Sequence, residues 1–372
     1  MKFDLHTINK QEVYMQKKYS ITSIILIVFI VSCSFTTVDQ GQNGFENQED
    51  ISSEAALSQP KDEISGTLVI YSGRKESLVS EIISEFVLTS GVKVDVRYAN
   101  SAELAGTLIL EGANSPADIF FSQDPISLGK VAKEGFFDQL PPKILENVPN
   151  WAIDKNNYWV GTSGRSRSLV VDIRNVEDSE LPNDIYGLAD EKFRNRLGLA
   201  PTNSSFIAMV ACMIELDGEE KVLDWLTKIN GLGYGEYPKN SPQVAAVVAG
   251  ELDIGMINHY YTLRVLAENG DEPIKNVYLD EGCGAMVMPA GVGILSSSQN
   301  KPAALAFIEF LHSKSVQETF TNTVYEFPLV KGIQPNTLLP DINSLNAPTN
   351  LDWSALSLWQ EKAVELIALA GF

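Results

Sequence analysis

The segment Thr67 to Phe121 decides the fold. It reads TLVIYSGRKESLVSEIISEFVLTSGVKVDVRYANSAELAGTLILEGANSPADIFF. Residues 67–71 are a β-branched run ended by Ser72-Gly73, and this predicts a strand. Over 76–89 the apolar residues Leu78, Ile82, Ile83 and Phe86 fall at helical spacing, and Gly91 stops that helix. Val92, Val94, Val96 and Tyr98 alternate as a second strand over 92–98, a helix is predicted over 102–111 before Gly112, and 117–121 is a third strand. The order β-α-β-α-β implies a parallel sheet with right-handed crossovers. Ligand sites in such sheets lie at the carboxyl ends of the strands. Here those ends are Tyr71-Ser72-Gly73-Arg74-Lys75 and Phe121-Ser122-Gln123-Asp124.

Working outward, the alternation resumes beyond a middle stretch. A strand over 197–200 precedes Pro201-Thr202-Asn203-Ser204-Ser205 and a helix over 206–216; another helix surrounds Trp225. Residues 241–249 are helical up to Gly250, 253–257 form a strand, and 260–268 are helical again. The apolar segment 284–295, a helix over 301–311 and a closing helix over 352–370 complete a second α/β lobe and its returns.

Toward the amino terminus, Lys17 and Lys18 precede the apolar run Ile24 to Val31, which ends at Ser32-Cys33. This reads as a secretory signal over 1–32, its apolar run too short for the roughly 20 residues of a membrane span. Met15 is an alternative start to Met1. Residues 33–66 carry seven acids against Lys61 and have no apolar periodicity, so they read as a flexible tether. The full chain of 372 residues has a formal charge of -20, and without its basic leader the remainder stands at -22. That excess speaks against a nucleic-acid partner and against a polybasic membrane-surface protein. Beyond Cys33 only Cys212 and Cys283 remain, and their pairing is left open by the sequence.

Several clusters could carry chemistry. In Ile257-Asn258-His259-Tyr260-Tyr261 two adjacent tyrosines can reach one point only where the backbone bends, and this pair follows a strand and opens a helix. In Ser163-Gly164-Arg165-Ser166-Arg167 two arginines at i, i+2 can offer forked donors to an anion from one side of an extended segment, or simply face solvent. Asn203-Ser204-Ser205 is either a helix cap or an anion cradle at a helix start, and Lys239-Asn240-Ser241-Pro242 poses the same choice. No GxSxG, HExxH, Walker or GxGxxG motif occurs, so an enzyme is not expected.

The segments TLVIYSGRKE, SPADIFFSQDP, WVGTSGRSRSLVVD, PTNSSF, PKNSPQVAAVVAGELDIGMINHYY, GAMVMPAGVGILSSSQNKPAALAFIEFLHSKSVQE and YEFPL occur in an order that resembles bacterial periplasmic ferric-iron-binding proteins, the solute-binding components of iron(III) ABC transporters. Ile30-Val31-Ser32-Cys33 likewise resembles a lipobox, implying lipidation of Cys33 and a lipid-anchored, exported protein at the periplasm or outer face of the cell membrane. The resemblance implies a two-lobed, transferrin-like periplasmic binding fold of class II with the ligand cleft between lobes. It implies an N-lobe of 67–166 plus 284–335, a C-lobe of 167–283 plus 336–372, and a monomer that hands its cargo to an ABC permease. Tyr260 and Tyr261 are then the phenolate donors to Fe(III), and Asn203, Ser204, Ser205, Asn240 and Asn258, assisted by Arg165 and Arg167, lie where a synergistic anion such as carbonate or phosphate binds.

One departure stands out. Known members supply a His in the first-lobe loop and a Glu at the position of Gln123, whereas this loop reads Arg74-Lys75-Glu76. Gln123 is a weaker, neutral candidate ligand and Tyr71 another. The alternative reading is a receptor for a small oxyanion or phosphonate on the same fold, using Arg74, Lys75, Arg165 and Arg167.

Overall fold

A computed structural model describes residues 64–372. The expected signal segment 1–32, Cys33 and residues 33–63 of the expected tether lie outside the described residues. In chain order the elements are β1 (Thr67–Ser72), α1 (Glu76–Ser90), β2 (Lys93–Tyr98), α2 (Ser101–Glu111), β3 (Ile119–Ser122), α3 (Pro125–Lys133), α4 (Pro142–Leu145), β4 (Val160–Asp172), β5 (Leu197–Leu199), α5 (Ser204–Asp217), α6 (Glu219–Leu232), β6 (Tyr234–Glu236), α7 (Asn240–Ala249), β7 (Ile254–Asn258), α8 (Tyr260–Asn269), β8 (Ile274–Val277), β9 (Val287–Ile294), α9 (Lys301–Leu311), α10 (Lys314–Asn322), β10 (Phe327–Pro328) and α11 (Trp353–Leu369).

The deciding segment folds as read. β1 pairs in parallel with β2 on one side and β3 on the other. The helical spacing of α1 buries Val79, Ile82, Ile83 and Phe86, and the left-handed Gly91 closes its last turn. At Gly73 a Cβ would lie 2.0 Å from Ser101 Oγ, so only glycine lets the β1–α1 loop approach the start of α2 this closely.

The strand order is β2-β1-β3-β9-β4-β7-β5-β6, with β8 and β10 also pairing with β4. β4 is the axis of this arrangement: Val160 to Ser166 pair antiparallel with β9, and Arg167 to Val171 pair antiparallel with β7. Its partners therefore change between Ser166 and Arg167, and all thirteen of its residues are buried. β7 continues in parallel to β5 and β5 to β6. β9 is buried along its length, as its uninterrupted apolar run requires.

α11 packs against α3, attached to the β1–β3 side, and also against α5 and α6 on the β5–β7 side. Its Trp353 indole donates to the Trp151 carbonyl at 2.8 Å. The two cysteines form a disulfide that joins α5 to the short 3-10 turn Cys283–Ala285 leading into β9, which settles the pairing the sequence left open. α3, α10 and the short β6, β8 and β10 were not anticipated. The three short strands have two to four residues each, and none of them lies in an alternating or continuous apolar run.

Candidate functional site

β7 ends at Asn258, His259 turns the chain with helical torsions, and Tyr260 and Tyr261 are the first two residues of α8. The bend brings the rings together, with centroids 4.3 Å apart and planes tilted by 31°. Tyr260 is buried and Tyr261 is half-buried. Burial pushes the Tyr261 phenol well above its ordinary value, and Tyr260 adds to this. Arg165 and a hydrogen bond with the Asn240 side chain pull the other way. Asn240 is the first residue of α7 and is 2% exposed.

The polar residues singled out by the sequence join one network beside this pair. Arg167 and Asn258 face each other across the β4–β7 ladder, and Arg167 Nη1 donates to Asn258 Oδ1 at 3.0 Å. Asn258 Nδ2 donates to Ser205 Oγ at 3.3 Å, and Ser205 Oγ donates to Asn203 Oδ1 at 2.6 Å. Asn203 also caps α5 by accepting from the Ser205 amide at 3.1 Å. The choice between cap and polar cradle is thus not exclusive: one side chain does the first and anchors the second. Ser204 is exposed and stands outside the network. Arg165 and Arg167 do not face solvent, being 3% and 2% exposed. Burial pushes the Arg167 guanidinium down to about 10, against the opposing pull of Tyr260 and Tyr261.

A second hydrogen-bonded set gathers around Gln123 at the strand ends of β1 and β3. Arg165 Nη2 donates to the Gln123 carbonyl, and Arg74 Nη1 donates to Gln123 Oε1 at 3.2 Å. Arg74 is itself held by Glu326, Nη1 to Oε1 at 3.0 Å and Nη2 to Oε2 at 2.9 Å, with both side chains sealed from solvent. The Ser163 hydroxyl also donates to Glu326. Burial opposes ionisation of Glu326, yet Arg74 and Arg165 together hold its carboxyl below the usual range.

Three of the expected site groups have other partners in this structure. Gln123 Oε1, its metal-type donor, is engaged by Arg74. Tyr71 donates its hydroxyl to Glu111 at 3.0 Å and receives Arg97 at 3.4 Å at the end of β1. For the oxyanion alternative, Arg74 is charge-balanced by Glu326 and Lys75 is exposed, which leaves Arg165 and Arg167.

Glu326 went unnoticed in the sequence, although it sits in the quoted YEFPL segment; its partner is 252 residues away and no local pattern marks such a pair. His259 also does more than its position suggested. Fully buried, it accepts the Ser166 amide on Nδ1 at 3.1 Å and meets the Tyr325 carbonyl through Nε2 at 2.8 Å. Nε2 therefore carries the proton, and burial pushes the imidazole down to about 4. Its ring stands perpendicular to Tyr260 at 5.7 Å and lies against Phe327 at 4.8 Å, which fixes the turn that presents the tyrosines.

A pair of phenols beside buried guanidiniums and amides, with hydroxyls within reach, can hold a hard cation together with an oxyanion. Comparison with known proteins gives the family. Residues 114–357 match the family described as bacterial extracellular solute-binding protein. The chain is 32% identical over 310 residues to the major ferric iron-binding protein of Neisseria meningitidis, covering 82% of this chain and 92% of the relative. It is 32% identical over 308 residues to the Fe(3+)-binding periplasmic protein of Serratia marcescens, covering 82% and 90%. The structure of iron-bound HitA from Pseudomonas aeruginosa superposes with a TM-score of 0.77 at 29% identity, over 82% of this chain and 99% of that one. The two-lobed fold is shared, and the chain belongs to the bacterial extracellular solute-binding proteins, in the group that includes the periplasmic ferric iron-binding proteins.

Proposed function

We propose that this protein captures ferric iron outside the cytoplasm, with Tyr260 and Tyr261 as phenolate ligands and an oxyanion held by Asn203, Ser205, Asn240, Asn258, Arg165 and Arg167. The observation that carries this reading is the stacked tyrosine pair, 4.3 Å between centroids, at the first turn of a helix and beside two buried arginines. Phenolate oxygen is a hard donor suited to Fe(III), and a bound cation stabilises the ionised phenol that burial alone disfavours. Binding then releases phenolic protons.

In the same reading the halves of the sheet joined through β4 and β9 form the two lobes, with boundaries near 166/167 and 283/284, and their closure traps the cargo. Cys33 carries the lipid anchor, and the loaded monomer docks on an ABC permease. The names of the relatives supply the cargo and the compartment; the Tyr260–Tyr261 geometry supplies the donors.

The test is a ferric titration of the iron-free protein followed by visible spectroscopy. A phenolate-to-metal charge-transfer band is expected, weakened by Tyr260→Phe or Tyr261→Phe and abolished by the double substitution. A band of unchanged intensity in the double variant would rule out the tyrosine site.

A further inference from the structure

Where the chain leaves α10 and enters β10, three consecutive residues reach both hydrogen-bonded sets described above. The Tyr325 carbonyl accepts from His259 Nε2 at 2.8 Å. The Glu326 carboxylate holds Arg74 at 3.0 and 2.9 Å and takes the Ser163 hydroxyl. The Phe327 ring lies 4.8 Å from the His259 ring, and its backbone pairs with Gly164 of β4.

The bend that makes this possible is at Tyr325, whose φ is +61°. Among the described residues the other non-glycine positions in this left-handed region are Asn157 and Asn195, a residue type that tolerates it. A bulky residue held there is disfavoured and persists only where its surroundings over-determine it. Two contacts do so. The Glu326 amide turns back to the Phe320 carbonyl of α10 at 3.0 Å, and the Tyr325 ring packs on the cluster of Leu263, Phe327 and Leu339.

His259 depends on the carbonyl that this bend supplies. Its ring is fully buried and its Nδ1 accepts the Ser166 amide at 3.1 Å, so the proton sits on Nε2. A buried N–H without an acceptor is costly, and the Tyr325 carbonyl is the acceptor. His259 in turn forms the junction between β7 and α8 that presents Tyr260 and Tyr261, with its own carbonyl accepting from Asn276 Nδ2 at 2.8 Å.

Resting on the ferric reading above, we propose that Tyr325 is a positioning residue for the tyrosine pair and acts through its left-handed backbone, not through its phenol. The same torsion sends its carbonyl to His259 and the next side chain, Glu326, to Arg74. One residue thus sets the turn that carries the tyrosines and the loop between β1 and α1 together.

The test loads the unmodified full chain and four variants, Tyr325→Phe, Tyr325→Gly, Tyr325→Asn and Tyr325→Val, with Fe(III) in bicarbonate buffer. At matched iron content, the wavelength of the charge-transfer band and the rate of iron loss to a competing chelator are measured. Tyr325→Phe keeps the ring, Tyr325→Gly and Tyr325→Asn enter the left-handed region readily without it, and the β-branched Tyr325→Val resists that region. The first three should keep the band wavelength and lose iron within about 3-fold of the parent rate, whereas Tyr325→Val should shift the band and lose iron about 10-fold faster, the worth of one buried hydrogen bond. In a His259→Leu background, Tyr325→Val should change neither quantity further, because its route to the tyrosines is already cut. Should Tyr325→Val not fold, Tyr325→Ala against Tyr325→Gly carries the same comparison, since a Cβ alone disfavours the left-handed region. Equal band and rate in the Val and Gly variants overturns the inference, and so does a weakened band in Tyr325→Phe, which would make the phenol itself a ligand. No band in the unmodified protein overturns the ferric reading, and this inference with it.

Discussion

The Arg74–Glu326 pair offers the most direct test of how this site is built. Its two hydrogen bonds of 3.0 and 2.9 Å lie between side chains fully closed to solvent. Arg74→Met leaves the Glu326 carboxylate with only the Ser163 hydroxyl, and Glu326→Leu leaves Arg74 with only Gln123. Removing one member of a buried pair costs about 3–5 kcal/mol, because the survivor keeps its desolvation penalty without its partner. Removing both abolishes two buried charges at once, so Arg74→Met/Glu326→Leu should lie within about 2 kcal/mol of the parent, a coupling of at least about 4 kcal/mol. Urea unfolding of the iron-free protein with its disulfide intact measures all four corners of the cycle. The pH dependence adds a sign. Glu326 is held below its ordinary value, so its contribution is present above the unfolded carboxyl value of about 4.3 and is lost as pH falls through the folded one. The parent's advantage over either single variant that keeps Glu326 neutral or absent should shrink in acid. Single variants costing under about 1 kcal/mol, or a double variant equal to their sum, would refute the reasoning.

Three further outcomes are expected. If iron displaces a proton from each of Tyr260 and Tyr261, affinity measured against a competitor of known protonation should rise about 100-fold per pH unit near neutrality, since one proton is worth tenfold; a flat profile contradicts phenolate ligation. The Cys212–Cys283 bridge spans 71 residues, so the Cys212→Ser/Cys283→Ser variant should lose about 2–4 kcal/mol in denaturant unfolding under oxidising conditions. His259→Leu strands the Ser166 amide and the Tyr325 carbonyl, which should cost about 2–5 kcal/mol and weaken the charge-transfer band at matched iron loading; recovery of neither property in His259→Gln would argue against the hydrogen bonds as the cause.

The sequence made the parallel segment 67–121 legible because α1 and α2 are long enough to show a helical period and each ends at a glycine, while β2 alternates apolar and polar residues between them. β6, β8 and β10 have only three, four and two residues, and their strand character comes from partners elsewhere in the chain. β4 was visible only as the SGRSR segment. That its thirteen residues are all buried depends on β9 and β10 covering its first half and β7 and β8 its second, and no window of sequence contains those four strands together.

The site divides along the same line. Tyr260 and Tyr261 are neighbours in sequence, and a strand followed directly by a helix is enough to foresee that their rings meet. Arg74 also stood in plain view, but its meaning depended on Glu326, and without that partner it counted as a free cation available to an anion. The net charge misled in the opposite direction. An excess of acids in the whole chain invites a carboxylate cage, yet the charged groups buried beside the tyrosines are three arginines and one glutamate. Surface acids are screened within about a Debye length, while charges sealed from solvent must be balanced by what lies beside them.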